Sequence, residues 1–371
     1  AFVAETLAEL RQIIDLATTH LRTRPTVEVA ERFFYSPEPL GGDVAFVYPG
    51  SGSHFPDVGR EFGAAFPHVL RRQMAENELL ASQYHASKVW HASTLDALTP
   101  LDFIFAQVSL GTLVSDLLAS FGVKPKAAIG YSLGESSGMF GTRTWTARDI
   151  LFKRLLVSSL FVTDLAGPCD AVRKQWNLPA SEKVEWQMGI VSASAERVRQ
   201  AITPGLRVYV LIINTDDDCV IGGQKKDVEE VVRRVGAAFL EVRGAPCAHC
   251  EVAEPVRQPC VELHLLPTTP IEGMRYYSGA WGRAYHPDSD SAAKMITDTV
   301  MHPIDFPKVV KVAYDDGARI FIEVGPGASC TRMIDSILEE RPHVAKAICV
   351  PRQDNVTLLL KLLANLHAQG V

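Results

Sequence analysis

The stretch Gly130-Tyr131-Ser132-Leu133-Gly134 decides the fold that we predict for this chain. An apolar run, Ala127-Ala128-Ile129, precedes it, and a segment typical of a helix follows it. Strand, G-x-S-x-G and helix in this order form the pattern of a nucleophile elbow, whose turn is so sharp that the residues flanking the serine need minimal side chains. Such an elbow exposes the serine hydroxyl at the end of the strand, and the amide of Leu133 faces the place where an oxyanion would form. The alternative interpretation is an ordinary strand-to-helix turn.

A second glycine-rich turn also follows an apolar run. Residues 44–48, V-A-F-V-Y, predict a buried strand that ends at residues 49–54, P-G-S-G-S-H. Backbone N–H groups in such a turn are free to face a ligand, and a plain tight loop is the alternative. Further strands are predicted at 275–278, 319–324 and 347–351, with helices between them, which indicates a mainly parallel sheet covered on both faces. Ligands bind such sheets at the carboxyl ends of the strands, where both turns fall.

Between residues 184 and 242 the pattern changes to β-α-β-β-α-β, the element order of a small ferredoxin-like module. Because this module stands between the elbow and the later strands, it is predicted to be an insertion. We therefore predict an α/β fold with a large α/β-hydrolase-like domain, residues 44–183 and 243–371, and an inserted ferredoxin-like α+β subdomain, residues 184–242. Residues 1–43 combine an amphipathic helix with a connector and precede the large domain.

Composition narrows the function classes. The chain has 371 residues, of which 47% are hydrophobic and 22% charged, as in an ordinary globular protein. A net charge of −6 argues against nucleic acid or an anionic membrane as partners. We find no signal peptide and no apolar run of membrane-spanning length, and seven irregularly placed cysteines favour a reducing cytoplasm. Because the chain begins with Ala1, we expect it to be a fragment of something longer.

A serine hydroxyl is a weak nucleophile until a base accepts its proton, and the chain offers eleven histidines. His249 lies in the small-residue loop 244–250, G-A-P-C-A-H-C, where the chain leaves the inserted module. Such a loop leaves an imidazole room to face a cleft, so we prefer His249, although the sequence pattern leaves its rivals open. Cys247 and Cys250, with Cys260 and His264, superficially suggest zinc; the short spacing and the histidine inside the first pair argue against a metal.

Four motifs give the chain a family resemblance. Residues 46–54 resemble the F-V-F-P-G-Q-G-S-Q opening of malonyl-CoA:acyl carrier protein transacylases, a family that includes the acyltransferase domains of fatty acid and polyketide synthases. Residues 130–135 resemble their G-H-S-x-G-E, residues 214–223 their N-x-P-x-Q-x-V-I-x-G, and residues 321–327 their F-x-E-x-G-P-G. The order and spacing fit from about residue 44 to the C-terminus. The variants are most similar to iterative synthases of the polyunsaturated fatty acid and enediyne polyketide types, and residues 1–43 resemble the linker between a ketosynthase and its acyltransferase.

The resemblance implies an acyltransferase that moves a malonyl extender group from malonyl-CoA to the phosphopantetheine thiol of an acyl carrier protein, with no bound cofactor. It implies Ser132 as the nucleophile and His249 as the general base. The imidazole would be oriented by a backbone carbonyl in the segment that begins at Thr299, and the amides of Ser51 and Leu133 would form the oxyanion hole. The implied partners are the carrier protein and a ketosynthase domain of the same polypeptide.

The sequence departs from the family at the acyl-binding positions. Malonyl-selective members place an arginine about twenty-five residues after the serine, where it pairs with the free carboxylate, but this chain has Val157 there. Arg154, one helical turn earlier, is the candidate replacement, and a solvated side chain is the alternative interpretation. Malonyl remains the expected acyl group, because the branch that the chain resembles builds its products from two-carbon units.

Three other residues are candidates for contact with the substrate. Tyr131 replaces the usual histidine, where its hydroxyl would bind the acyl group or merely pack. Ala248 stands where many malonyl-specific domains carry Phe and so enlarges the pocket. Asn214 begins the third motif.

Other functions remain open at this stage. The same acyl-serine attacked by water would make the chain an acyl-CoA thioesterase or an editing hydrolase. A catalytically inactive docking domain is the non-enzymatic alternative. A carrier protein should be acidic, so the cationic residues of the inserted module are either a docking patch or a solvated face: Lys225, Lys226, Arg233 and Arg234.

Overall fold

A computed structural model describes residues 1–23, 32–90, 98–242 and 246–371 of the chain. Residues 24–31 of the predicted linker-like segment lie outside the described residues. So do residues 243–245, which include the predicted domain boundary and the start of the loop that leads to His249.

The described residues form eleven strands and sixteen α-helices, with a π-helical turn at Leu160–Asp164 and a 3₁₀ segment at Glu251–Val256. The strands are β1 (Asp43–Tyr48), β2 (Ala127–Gly130), β3 (Trp186–Val191), β4 (Val208–Thr215), β5 (Asp218–Gln224), β6 (Phe239–Glu241), β7 (Arg275–Ser278), β8 (Arg283–Tyr285), β9 (Ile304–Asp305), β10 (Ala318–Glu323) and β11 (Val344–Ala347). The helices are α1 (Leu7–Thr23), α2 (Arg60–Ala65), α3 (Pro67–Glu76), α4 (Leu80–Gln83), α5 (Ala86–Val89), α6 (Pro100–Ser120), α7 (Gly134–Gly141), α8 (Arg148–Leu156), α9 (Asp170–Gln175), α10 (Ala195–Ala201), α11 (Lys225–Val235), α12 (Arg257–His264), α13 (Ser289–Met301), α14 (Phe306–Asp315), α15 (Ser329–Leu338) and α16 (Asn355–Ala368).

The larger sheet has six strands in the order β11-β10-β1-β2-β7-β8, and only β8 runs antiparallel to its neighbour. Tyr48 at the end of β1 pairs in register with Gly130 at the end of β2. Because parallel strands that end level present their following turns at one edge, both glycine-rich turns predicted from the sequence lie together. The mainly parallel α/β sheet is therefore present.

The last strand lies several residues earlier than predicted. The last strand was expected at 347–351, but β11 ends at Ala347. Ala347 pairs with Glu323, the last residue of β10, so beyond this point the neighbouring strand offers no further backbone groups to pair with.

The smaller sheet has the order β6-β3-β5-β4-β9. Its first four strands, together with α10 and α11, follow the predicted β-α-β-β-α-β order and pair antiparallel. The fifth strand was not predicted: β9 lies far along the chain and pairs parallel with β4 through Ile212 and Ile304. The small sheet is thus continuous with a segment outside the predicted insertion.

Helix α6 is the central helix of the core. A capping box between Thr99 and Asp102 begins it, with Pro100 in the first turn, as helix-start rules favour. It is long and apolar enough to cross a membrane by length and composition, which corrects the expectation that no apolar run reaches this length. However, 78% of its most apolar window is buried against the rest of the protein, as expected of a core helix.

Candidate active site

The elbow brings Ser132 to the carboxyl end of β2 in a backbone conformation that side chains rarely adopt. Its φ is 55°, in the left-handed region, which costs of order 1–3 kcal/mol for a residue other than glycine. A Cβ on Gly134 would overlap the carbonyl oxygen of Tyr48, and one on Gly130 would overlap the backbone of Glu135. Both glycines are therefore required because α7 begins in direct contact with the two central strands.

Ser132 and His249 lie within hydrogen-bonding distance. Ser132 Oγ is 2.8 Å from His249 Nε2, and His249 Nδ1 is 2.6 Å from the carbonyl oxygen of Thr299. A carbonyl can only accept, so Nδ1 carries the hydrogen and donates it to Thr299. In the neutral imidazole Nε2 then bears the lone pair and accepts the hydrogen bond from the Ser132 hydroxyl. This is the arrangement that a general base needs.

The last turn of α13 holds the imidazole in place. The backbone N–H of His249 donates to the carbonyl of Val300 at 2.6 Å, beside the bond from the ring to Thr299. The carbonyls at a helix C-terminus have no partner within the helix, so they are free to bind this loop. The negative end of the helix dipole also stabilises the imidazolium that forms when the base takes a proton.

Burial keeps the base neutral. His249 is buried, and desolvation lowers the pKa of its imidazole to about 4, although the hydrogen bond to Thr299 acts in the opposite direction. At neutral pH the ring is therefore unprotonated and able to accept the serine proton.

Glu135 lies directly behind this pair, and no role was predicted for it from the sequence. One of its carboxyl oxygens accepts from Thr299 Oγ1 at 2.5 Å, and the other accepts from the Gly279 amide at 2.6 Å. Thr299 therefore binds the imidazole of His249 through its backbone carbonyl and binds Glu135 through its side-chain hydroxyl. Burial raises the pKa of Glu135 to about 8. The only sequence signal for this contact was the glutamate that ends the family motif at residues 130–135.

We expect Glu135→Gln to change how stability depends on pH. The pKa is raised from 4.5 to about 8, so between these values the folded protein holds a proton that the unfolded chain has lost. Stability from this group therefore falls as pH rises through that range, whereas glutamine cannot ionise. The free energy of unfolding of Glu135→Gln relative to the unchanged protein should rise from pH 5 to pH 8, as measured by urea denaturation.

Glu78→Gln, which changes an exposed carboxylate between α3 and α4, is the matched control, and its difference from the unchanged protein should stay constant with pH. A constant difference for Glu135→Gln as well would contradict the proposed buried, protonated carboxyl.

A cavity of about 270 Å³ opens over Ser132. Most of its lining is apolar, and the residues that form it are Ser51, Gly52, Pro100, Phe103, Ile104, Phe105, Val108, Ser132, Leu133, Ser136, Leu151, Leu155, Phe161, Ala166, Met188, Val242, Pro246, Ala248, His249, His264, Ile296, Thr299 and Val300. The predicted oxyanion-hole residues, Ser51 and Leu133, thus border the same cavity as the serine. Leu133 also stands at the N-terminal end of α7, where the helix dipole favours negative charge. Among the described residues that line it, none is a lysine or an arginine.

The structure does not bring Arg154 to this cavity, which corrects its assignment as the carboxylate partner. Its guanidinium donates to the carbonyls of Glu262, Leu263 and Leu265 at 3.0–3.2 Å, at the C-terminal end of α12. Val157 is 87% exposed just beyond α8, so the residue at the position of the family's arginine is at the surface. Neither residue can contact an acyl group on Ser132 in this arrangement.

Tyr131 and Asn214 form a link between the elbow and the small sheet. The Tyr131 hydroxyl donates to Asn214 Oδ1 at 2.7 Å, and the Asn214 amide donates to Asp218 at 2.6 Å. The tyrosine ring packs edge-on against Phe306. Neither residue is part of the cavity lining, so the structure favours the packing interpretation of Tyr131; Ala248 does line the cavity, next to the base.

The cysteines considered for zinc have other neighbours. Cys247 Sγ lies 3.1 Å from Cys169 Sγ, and His264 Nδ1 donates to the Cys260 carbonyl at 2.8 Å. Within the described ranges, no three His, Cys, Asp or Glu side chains are grouped so that they could hold a metal ion.

The chain is similar to known proteins along most of its length. A family model described as "Acyl transferase domain" matches residues 45–371. Among curated proteins, the chain is 26% identical to one component of the polyunsaturated fatty acid synthase of Thraustochytrium sp. and 24% identical to a mycocerosic acid synthase-like polyketide synthase of Mycobacterium tuberculosis. These matches cover 91% and 97% of the chain but only 18% and 17% of the relatives, so the chain spans less than a fifth of their length.

Solved structures show the same fold at low identity. The acyltransferase domain from the second module of the salinomycin polyketide synthase is similar with a TM-score of 0.76 and 19% identity, over 100% of this chain and 82% of that one. A malonyl CoA-acyl carrier protein transacylase from Clostridium perfringens is similar with a TM-score of 0.68 and 18% identity, over 88% of this chain and 98% of that one.

Proposed function

The chain belongs to the acyl transferase domain family, and from this premise we propose that it moves an acyl group from CoA to the phosphopantetheine thiol of an acyl carrier protein through an acyl-Ser132 intermediate. The observation that carries the proposal is the chain of contacts from the Ser132 hydroxyl through His249 to the Thr299 carbonyl, at the base of a cavity that can hold an acyl group.

The proposed reaction is a double displacement. His249 takes the proton from Ser132 Oγ as the oxygen attacks the thioester carbonyl, and the amides of Ser51 and Leu133 stabilise the oxyanion. The intermediate collapses, the C–S bond breaks, and His249 returns the proton to the departing CoA sulfur. In the second half, His249 takes the proton of the pantetheine thiol as the sulfur attacks the carbonyl of the acyl-serine. The C–O bond to Ser132 then breaks, and His249 returns the proton to Ser132 Oγ.

We propose malonyl-CoA as the donor. The support is the similarity to a malonyl CoA-acyl carrier protein transacylase and to polyketide synthase domains. The cavity does not add to this support, because its described lining supplies no cation to pair with the malonyl carboxylate. The lining does include the polar side chains of Ser136 and His264, which can bind a carboxylate directly or through water.

Ala248→Phe is expected to narrow acyl selectivity. Ala248 lines the cavity beside His249, so a phenyl ring there removes volume from the space that the acyl chain enters. Transfer of a larger group such as hexanoyl should fall by about ten-fold or more relative to malonyl, because excluding a few methylenes is worth about 1–3 kcal/mol. Competition between malonyl-CoA and hexanoyl-CoA, read by intact-protein mass spectrometry, measures the ratio, and an unchanged ratio would show that the acyl chain lies elsewhere.

Incubation with radiolabelled malonyl-CoA, with and without a phosphopantetheinylated carrier protein, tests the proposed function. Label that moves to the carrier protein supports acyl transfer. Label released as free acid in the presence of carrier protein would instead identify a thioesterase or editing hydrolase. Absence of any label on Ser132 would identify a catalytically inactive docking domain.

We also propose that this chain works beside a ketosynthase within a longer iterative synthase, with residues 1–43 as the linker and the antiparallel strands β3 to β6 as a ferredoxin-like subdomain. In support, Val3 and Phe34 pack together with Ala364 of α16, so the N-terminal segment folds onto the last helix.

The contacts of α11 argue against a strongly cationic patch for docking of the carrier protein. Arg233 and Arg234 both form ion pairs with Glu230 on the same helix, which offsets part of their charge. Lys225 and Lys226 begin this helix and are the remaining cations of the candidate patch.

A further inference from the structure

Arg148 is a buried cation that the proposed reaction does not use. It is the first residue of α8 and only 2% exposed. Its Nη1 donates to Gln73 Oε1 at 3.1 Å, but Nε and Nη2 have no hydrogen-bond partner among the described residues. A buried polar group without a partner costs free energy, and a buried charge costs more, so these two donors need an explanation.

The nearby carboxylates are already bound by other groups. Glu76 pairs with Arg143 at 2.8 Å and with Arg72 at 3.1 Å. Asp116 pairs with the same two arginines at 2.7 and 3.4 Å. These two carboxylates thus neutralise two guanidinium groups, and neither of them forms an ion pair with Arg148.

The next residue along the chain does not supply the missing anion either. The Asp149 carboxylate accepts from the Leu79 amide at 3.3 Å and from the Gln83 side chain. Burial lowers the pKa of Arg148 to about 10, which still leaves the guanidinium charged at neutral pH.

Arg148 is one of the residues that line a cavity of about 230 Å³. Arg143 also lines it together with Glu76, whose carboxylate is paired with Arg143 and Arg72, and with the polar side chains of Asn77, Thr112 and Thr146. A water molecule occupies about 30 Å³ in the liquid, so the cavity can hold a small ion together with water. The start of α8 adds the positive end of a helix dipole to the two cations.

The two unpartnered nitrogens determine the class of ligand. Nε and Nη2 lie on one edge of the planar guanidinium, and this edge gives two parallel N–H···O bonds to a carboxylate or a phosphate. We propose that this cavity is a binding site for a small oxyanion, held by two bonds to the Nε and Nη2 edge of Arg148. The site is separate from the cavity over Ser132, although α8 also carries Leu151 and Leu155 of that cavity.

Thermal unfolding at constant ionic strength tests the proposal. The protein is prepared in Tris chloride, and chloride is replaced stepwise by inorganic phosphate in one series and by formate in another. A ligand that binds only the folded state raises the midpoint, and above its dissociation constant the rise grows with the logarithm of its concentration. We expect such a rise with phosphate, formate or both, and the two series distinguish a free phosphate from a carboxylate as the occupant.

Arg148→Gln should abolish the rise, whereas Arg71→Gln, an exposed arginine on α3, should keep it. A shift that chloride alone produces equally, or that persists in Arg148→Gln, would overturn the proposal. So would the absence of any rise with phosphate or formate in the unchanged protein.

If Arg148→Gln does not fold, crystals of the unchanged protein soaked in selenate provide a second test of the site. The selenium should give an anomalous peak in this cavity, with its oxygens within hydrogen-bonding distance of Arg148 Nε and Nη2. A fully soaked crystal with no such peak would overturn the proposal that the Nε and Nη2 edge of Arg148 binds an oxyanion.

Discussion

Ser132→Ala is expected to abolish the acyl-enzyme and to lower acyl transfer to a carrier protein by about 10³-fold or more. The hydroxyl lies 2.8 Å from Nε2 of His249, at the end of β2 and beside the amide of Leu133, so its removal leaves the thioester without the proposed nucleophile. Binding and oxyanion stabilisation remain, which accounts for any residual rate. Intact-protein mass spectrometry after incubation with malonyl-CoA should show the acyl adduct on the unchanged protein and none on the variant.

Ser82→Ala is the matched control, since this serine is exposed on α4 and outside the cavity. It should retain both the adduct and the transfer rate. An acyl adduct on Ser132→Ala would place the nucleophile elsewhere and contradict the proposed mechanism, while a normal melting temperature for the variant excludes misfolding as the cause of its inactivity.

The sequence predicted the elbow and the central sheet because their signals are local. Gly130 and Gly134 flank the serine within five residues, and the contacts that demand glycine there come from the adjoining strands. His249 was also identified, from a small-residue loop and a family resemblance. However, the carbonyls that position it come from α13, about fifty residues away, and only the resemblance pointed to them.

The contacts of the charged side chains around the site could not be predicted from such local signals. Helical spacing places Arg154 one turn before Val157, but it does not reveal that the C-terminal carbonyls of α12 take up the guanidinium. The contact between Glu135 and Thr299 spans 164 residues, and the contact between Arg148 and Gln73 spans 75. Such contacts depend on how elements pack, which no periodicity within one element encodes.

His249→Ala is expected to slow acylation of Ser132 by about 10²- to 10⁴-fold, the usual contribution of a general base. Without Nε2 as acceptor, the serine proton must pass to water. The unchanged protein should also show a distinct pH profile, because burial lowers the pKa of His249 to about 4. The base is neutral and active above this pKa and protonated below it, so acylation should be level from pH 6 to 8 and fall only as the pH approaches 4.

Single-turnover acylation with malonyl-CoA, quenched in acid and read by mass spectrometry, measures both expectations, and circular dichroism at each pH verifies that the protein is folded. His367→Ala, an exposed histidine on α16, is the matched control and should keep the rate and the profile of the unchanged protein. In His249→Ala the acidic fall should disappear together with most of the rate. A profile with a midpoint near 6.5 in the unchanged protein would mean that His249 is hydrated during the reaction and does not keep the buried position from which the mechanism was derived.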